Sequence, residues 1–228
     1  MAFRLRSRRF AALVVILVAG LLAGAGWWWV TRWRPPERQF PVQGVAVDEA
    51  TGAIDWPMMA ATPADFAYIR ATVGARARDP RFAENWQGAL QAGMRRGIVH
   101  DYSLCQAATE QARNLVTHVA RDPEALPAVV SVSFDESCPA RPDRERLARD
   151  LGRFIAMVET HTGKPMLLRT TPDVEGEYRL SGLIARPVWS VRRFLPPDYA
   201  SKPWRLWEAT DLRRVEAAEH PVRWLVAA

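Results

Sequence analysis

The sequence has only two cysteines, no internal repeat, no low-complexity tract, and no acidic residue among its first 34 positions. Two cysteines cannot hold a disulfide-rich scaffold together, and their spacing matches no zinc-site pattern. The absence of repeats excludes a solenoid. The roughly 190 residues from Pro35 onward are enough for one domain with a buried core.

The part of the chain that follows the first 34 residues also lacks an excess of positive charge. The formal net charge is +6, but residues 1–34 contain six arginines and no acid. Subtracting those six from 31 basic residues leaves 25, against 25 acidic residues. A domain that binds nucleic acid usually carries a surplus of Lys and Arg. We therefore expect no nucleic-acid partner, and no motif indicates a cofactor or a metal.

The N-terminal segment is typical of a membrane anchor. Four arginines, Arg4, Arg6, Arg8 and Arg9, precede an uncharged apolar stretch at 10–30 that is long enough to cross a bilayer core of roughly 30 Å. Trp27–Trp29 then form an aromatic belt. The positive-inside rule predicts a cytoplasmic segment 1–9, a transmembrane segment 10–30, a stiff linker 31–40 with two prolines, and a domain 41–228 exported to the periplasm or another extracytoplasmic space.

A cleaved signal peptide is the alternative interpretation of the same segment. Ala23-Gly24-Ala25 offers the small residues that a cleavage site needs. The residues around Arg8-Arg9 fit a twin-arginine signal poorly. All of these interpretations export the domain.

Short apolar strands alternate with helical stretches along the domain. The predicted strands are 42–47, 66–72, 96–100, 128–134 and 166–170, with weaker ones near Leu183, Leu206 and Val222, and the predicted helices are 57–61, 81–92, 107–119 and 144–162. Alternation of this kind indicates parallel strands joined by crossover helices. It is compatible with a β/α barrel or with a doubly wound sheet.

Seven segments, in the right order from about Pro41 to Val226, resemble motifs of glycoside hydrolase family 25, the Chalaropsis-type lysozymes. FAYIRAT at 66–72 is similar to the family's FAYIKATEG strand, DPRF at 79–82 with Asn85-Trp86 to its DPRFxxNW helix start, and PWRLW at 203–207 to its PWTFWQY strand. Members cleave between N-acetylmuramic acid and N-acetylglucosamine in peptidoglycan. The resemblance implies a flattened TIM-like barrel of five β/α units plus extra strands, with its site at the C-terminal ends of the strands.

The two cysteines, Cys105 and Cys138, each lie a few residues beyond a predicted strand. Adjacent parallel strands would bring them together in an oxidising compartment, so we expect a disulfide. They also resemble a cysteine pair found in one branch of the family. Two buried free thiols are the alternative.

The departures from the family pattern fall on its acidic positions. Ala46, Ser131, Ser133 and Arg223 stand where the resemblance implies carboxylates. Glycoside hydrolysis needs a carboxylic acid to protonate the leaving oxygen and normally a second group as nucleophile or base. Loss of one general acid or base costs about 100- to 10,000-fold in rate, so we predict that the domain is catalytically degenerate.

A relocated acid is the alternative. Ser131, Ser133 and Asp135 share one parity of the strand and would face the barrel mouth, so Asp135 could act with Asp48 or Asp101 as its partner. A solvated loop carboxylate is the simpler interpretation of Asp135.

Four further residues are candidates for substrate binding: His100, Arg169, Trp207 and Glu208. Trp189, like Trp207, could stack on a sugar ring, although aromatic residues at strand positions are more often core residues. The structural alternatives for the others are a hydrogen-bonding role for His100 and a buried ion pair for Arg169 with Glu208. The predicted function is a membrane-anchored, lysozyme-like envelope domain that binds peptidoglycan glycan or a cell-envelope protein. An active muramidase and an envelope scaffold are the competing hypotheses.

Overall fold

The computed structural model describes the backbone of residues 2–228 and the side chains from Leu13 onward. The side chains of the four arginines predicted to face the cytoplasm lie outside the described residues.

A single long helix precedes the domain. Helix α1 spans Ala2–Arg32, and its portion Leu13–Arg32 has a mean hydropathy of 2.1 over its most apolar window, none of which is buried. At about 1.5 Å per residue, 20 residues extend about 30 Å, which matches a bilayer core. The helix is therefore long and apolar enough to cross a membrane, and an N-terminal signal sequence would meet the same criterion.

Eight strands close into a barrel. In chain order the strands are β1 Gln43–Val47, β2 Phe66–Val73, β3 Ala77–Arg78, β4 Arg95–Tyr102, β5 Val129–Val132, β6 Leu167–Thr170, β7 Val188–Val191, β8 Trp204–Arg213 and β9 Val222–Ala227. They are ordered β1-β9-β8-β7-β6-β5-β4-β2, and the parallel pairing of β1 with β2 closes the ring. Only β9 runs antiparallel to its two barrel neighbours, while β3 forms a short hairpin on β2. The barrel interpretation is confirmed, and the closing pair excludes an open doubly wound sheet.

Six helices follow barrel strands and complete five β/α units. They are α2 Trp56–Ala60, α3 Phe82–Gln91, α4 Ala108–His118, α5 Arg144–Thr162, and, after β6, α6 Pro172–Tyr178 with α7 Leu180–Leu183. Helix α5 has the predicted bounds, because Asp143 accepts a hydrogen bond from the Arg146 backbone N–H at its start and Gly163 adopts φ 75° at its end. The strand predicted near Leu183 is wrong, because that residue ends α7 and the next strand is β7.

Alternation along the strands gives the barrel an apolar interior and a second core outside it. The interior contains Phe66, Tyr68 and Trp189, packed with aliphatic side chains from the other strands. The outer core lies between the sheet and helices α4 and α5, around Phe154 and Leu151. The interior is filled below the strand ends, and a ring of charged residues lies above it at the C-terminal mouth.

Residues 33–40, predicted as a linker, pack on the outside of β8 and β9, where no helix covers the sheet. Phe40 meets Trp207 edge-on with ring centroids 5.5 Å apart, and Trp33 joins the same cluster. The Gln43 side chain holds the segment in place, because its Nε2 donates hydrogen bonds to the carbonyl oxygens of Pro35 and Phe40. This segment therefore takes the place of a covering helix.

Candidate functional site: the barrel mouth

The C-terminal ends of the barrel strands carry a ring of polar and charged side chains. The ring consists of Asp48 after β1, Arg70 on β2, Asp101 on β4, Ser131 on β5 and Ser133 just after it, Arg169 on β6, Glu208 on β8 and Arg223 on β9. Arg223 lies near the start of β9, which is at the mouth because that strand is antiparallel. Three carboxylates and three guanidinium groups thus share one end of the barrel.

Arg169 and Glu208 form a bidentate ion pair. The Arg169 Nε and Nη2 atoms donate to the two carboxylate oxygens at 3.0 and 3.2 Å. Arg169 also donates from Nη1 to the Ser131 hydroxyl at 3.2 Å. Both side chains are nearly buried, with 11% and 5% exposure. Because Arg169 engages both Glu208 oxygens, the two side chains form a nearly buried, bidentate ion pair, and their part in substrate binding stays a prediction.

Arg223 is paired with Asp48 across the seam between β1 and β9. Its Nη2 lies 2.8 Å from Asp48 Oδ2. Burial disfavours the charged guanidinium and by itself would lower the pKa of Arg223. The negative charges of Glu208, Asp48 and Asp101 have the larger combined effect and raise this pKa above its usual value. A permanent positive charge therefore stands at a position where the family resemblance implies an acid.

Arg70 joins the acidic side chains on the other side of the mouth. Its Nε donates to Asp79 Oδ2 at 2.9 Å, and its Nη1 lies 3.7 Å from Asp48 and 3.6 Å from Asp101. The Asp79 carboxylate also caps two backbone N–H groups, those of Glu49 and Arg81. Sequence reasoning missed this arginine, although it shares strand parity with the interior residues Phe66 and Tyr68 and so was detectable.

Asp135 lies in a groove beside the ring. The groove has a volume of about 500 Å³ and is lined by residues that include Asp101, Ser133, Asp135 and Glu136. Asp135 is exposed and accepts a hydrogen bond from the Ser137 backbone N–H at 2.7 Å, which lowers the pKa of its carboxyl. A general acid needs a raised pKa, so this environment is the reverse of the one that proton donation requires.

The Cys105–Cys138 disulfide borders this groove. It joins the loop after β4 to the loop after β5, with Cα atoms 5.8 Å apart. The predicted pairing is confirmed, and it fixes the loop that carries Asp135 to the loop that follows Asp101 and the end of β4.

His100 points away from the mouth. It lies on β4 and is fully buried against α5. Its Nδ1 is 2.7 Å from the Thr72 hydroxyl, and its ring centroid is 4.7 Å from that of Phe154. Burial lowers its pKa to about 4, against smaller opposing contributions from the Gln111 hydrogen bond and from Asp101. The structure thus places His100 in a buried hydrogen-bond network with Thr72 and Gln111.

The two candidate tryptophans are core residues. Trp207 faces outward into the cluster with Phe40, and its indole N–H donates to the Arg192 carbonyl oxygen at 2.6 Å. Trp189 is buried inside the barrel, with the Arg169 guanidinium 5.8 Å from its ring centroid. Neither ring offers a face to a ligand in the mouth.

Two other features of the described residues bear on the site. A larger open hollow of about 880 Å³ lies between α2, α3 and the segment around Ala217, away from the mouth ring, so size alone does not identify the site. From Leu13 onward, no group of three His, Cys, Asp or Glu side chains is arranged to hold a metal ion.

Comparison with known proteins identifies the fold and the family. The sequence profile described as "Glycosyl hydrolases family 25" matches residues 45–216, about three quarters of the chain. The chain belongs to glycosyl hydrolase family 25. The family 25 glycosyl hydrolase from Bacillus anthracis superposes with a TM-score of 0.77 at 27% identity, over 86% of this chain and 92% of that one. The bacterial lysozyme from Streptomyces coelicolor superposes with a TM-score of 0.76 at 25% identity, over 82% and 91%.

A curated relative also matches most of the domain. The uncharacterized protein YegX of Escherichia coli K12 is 29% identical over 190 residues, which is 80% of this chain and 68% of that protein. In this barrel, the C-terminal mouth is where the family resemblance implies the acidic residues. Ala46, Ser131 and Arg223 lie at that mouth instead of carboxylates.

Proposed function

We propose that this family 25 protein is a membrane-anchored, lysozyme-like domain of the cell envelope that has lost ordinary muramidase activity and binds peptidoglycan glycan or a protein partner. The observation that carries the proposal is the charge arrangement of the mouth. The implied acid positions hold Ala46, Ser131, Ser133 and Arg223, and arginines contact the carboxylates of Asp48 and Glu208.

The chemistry of glycoside cleavage supports this proposal. The transition state resembles an oxocarbenium ion, so positive charge develops on the sugar and is stabilised by nearby carboxylates. Arg169 and Arg223 would oppose that charge at the mouth. Arginines recognise carboxylates well, because the planar guanidinium donates two parallel hydrogen bonds. The carboxylates of Asp48, Asp101 and Glu208 each lie against an arginine, so the mouth is poorly suited to cleaving the glycosidic bond.

The test is incubation of the full-length protein, in mild detergent, with purified peptidoglycan. We expect sedimentation of the protein with the peptidoglycan and no release of muropeptides by the wild type. The variant Asp135→Ala serves as the internal control. Clear turnover by the wild type that Asp135→Ala abolishes would overturn the proposal.

An active muramidase with relocated acids is the second candidate, because Asp101 and Asp135 line one groove. It requires carboxyl oxygens of Asp135 and a partner, Asp101 or Asp48, about 5–9 Å apart. This candidate predicts turnover that is lost in Asp135→Asn and in either Asp101→Asn or Asp48→Asn, but kept in Glu145→Gln, an exposed acid of α5 outside the groove. Equal residual release in all four variants would reject it.

An envelope scaffold is the remaining candidate. Recovery of one defined envelope protein with the full-length chain, together with no sedimentation on peptidoglycan, would favour this role over glycan binding.

A further inference from the structure

The C-terminal end of α1 is joined to the mouth side of the barrel. The Arg214 backbone N–H, one residue past the end of β8, donates to the Thr31 carbonyl oxygen at 2.8 Å. Phe194, in the loop after β7, meets Trp33 edge-on at 5.0 Å and stacks on Trp29 at 6.2 Å. Both barrel contacts lie beyond the C-terminal ends of strands. The helix therefore meets the barrel at the rim of the mouth.

The direction of α1 follows from the path of the chain after it. From Arg32 the chain runs down the outside of β8 and β9 to Gln43, at the opposite end of the barrel. The apolar part of α1 is exposed throughout, from Leu13 at 60% to Trp28 at 59%. The end of α1 contacts the rim, and the chain after it runs towards the opposite end of the barrel. The rest of α1 therefore extends away from the barrel on the mouth side. If α1 crosses a bilayer, that bilayer lies on the mouth side.

The chemistry of this rim is both basic and apolar. Its arginines are Arg32 and Arg34 at and after the end of α1, Arg192 and Arg193 after β7, and Arg213 and Arg214 at the end of β8. Three of the six are paired with carboxylates, Arg34 with Glu37, Arg192 with Asp198 and Arg193 with Asp211. Leu195 is 57% exposed within the same loop. Burial and the neighbouring Arg34 and Arg32 lower the pKa of Arg213 to about 10, which reflects the crowding of positive charge.

We propose that these three segments, 32–34, 192–196 and 213–214, form an anchor-side rim that docks on the anionic headgroups of the bilayer carrying α1, and so holds the barrel mouth facing the membrane surface. The inference rests on the proposed anchoring by α1. Arginines near an anionic surface contribute about 1 kcal/mol each, or about fivefold in the docked population. Trp29, at the end of the Trp27–Trp29 belt, stacks on Phe194 of the rim, and indole rings favour the membrane interface. A ligand that enters the mouth would then be a glycan at the membrane surface rather than one in the distant wall.

The experiment uses the full-length protein in vesicles of phosphatidylcholine, alone or mixed with phosphatidylglycerol. One cysteine is added as Leu195→Cys on the rim or, as a matched control, as Leu90→Cys near the end of α3 at the far side of the barrel, where Leu90 is 47% exposed. The native cysteines are joined in a disulfide, so a thiol-reactive fluorophore labels only the added position. Headgroup-attached nitroxide lipids report proximity by quenching.

We expect strong quenching at 195, weak quenching at 90, and an increase at 195 with phosphatidylglycerol. Adding Arg32→Gln and Arg214→Gln, the two exposed rim arginines outside the three ion pairs, should weaken the docked orientation by about 25-fold, at about fivefold per arginine. Arg146→Gln with Arg153→Gln, which removes two exposed arginines of α5, should leave the quenching unchanged. Flotation of the protein with the vesicles but equal quenching at both positions, or no dependence on phosphatidylglycerol, would overturn the docking alone. Failure to float would reject the anchoring itself, and the docking with it.

Discussion

At the scale of single residues, Arg169 and Glu208 stabilise the barrel only as a pair. Glu208 is 5% exposed, and Arg169 donates to both of its carboxylate oxygens. Arg169→Met would leave a buried carboxylate without its partner, and we expect a loss of about 3–5 kcal/mol in the free energy of unfolding. Guanidinium unfolding followed by tryptophan fluorescence measures it.

The matched variant for this prediction is the double substitution Arg169→Met with Glu208→Leu, which removes both charges and should recover much of the lost stability. A loss below about 1 kcal/mol in Arg169→Met, typical of an exposed ion pair, would contradict the prediction.

His100 makes the stability of the domain depend on pH. Burial holds its pKa near 4 in the folded state, while the unfolded imidazole titrates near 6.5. The unfolded chain therefore binds the extra proton first, and stability falls as the pH drops from about 6.5 towards 4. The full contribution is about 3 kcal/mol at 1.36 kcal/mol per pKa unit.

The measurement is the unfolding free energy of wild type and His100→Gln across this pH range, because carboxylates elsewhere also titrate at its acidic end. The glutamine keeps hydrogen-bonding capacity towards Thr72 and Gln111 but does not titrate. Equal pH slopes for the two proteins would show that His100 does not carry the effect.

At the scale of elements, the disulfide holds together the two loops that border the groove. Cys105 and Cys138 are 33 residues apart in sequence. Closing a loop of this length in the unfolded chain gives about 3–4 kcal/mol of stabilisation in the chain-entropy treatment. Cys105→Ser with Cys138→Ser should lose about that amount in guanidinium unfolding. Wild type measured with reductant should match the double variant, and a difference between them would point to an effect of the serines themselves.

Strand parity explains why some site residues were predictable and others were not. His100 and Asp101 are neighbours on β4, so their side chains point to opposite faces and only one can reach the mouth. The sequence supplies this alternation, but not which face is the barrel interior. Closure of β1 on β2 settles that choice, since it places Asp101 inside with Arg70 and puts His100 against α5.

At the scale of the whole molecule, the packed segment 33–40 extends the folded domain to residues before its predicted start at 41. Phe40 and Trp33 cover Trp207 and Val226 on a sheet face that no helix shields. A chain that begins at Thr31 should therefore be more stable than one that begins at Pro41. We expect a difference of about 3–5 kcal/mol, the cost of removing large aromatic groups from a core. Thermal and guanidinium unfolding of the two truncated proteins would measure it, and equal stabilities would show that the segment is only a tether.

The sequence by itself determined the alternation of strands and helices as far as β6, the apolar N-terminal segment and the departures at Ala46, Ser131 and Arg223. These features are local: apolar runs, capping residues such as Asp143 and Gly163, and side chains at motif positions. Only the tertiary structure decided which charges meet. Arg223 finds Asp48 across 175 residues, and Arg169 finds Glu208 across 39. Such pairs depend on barrel closure and strand register, because residues distant in sequence become neighbours only when the strands are in place.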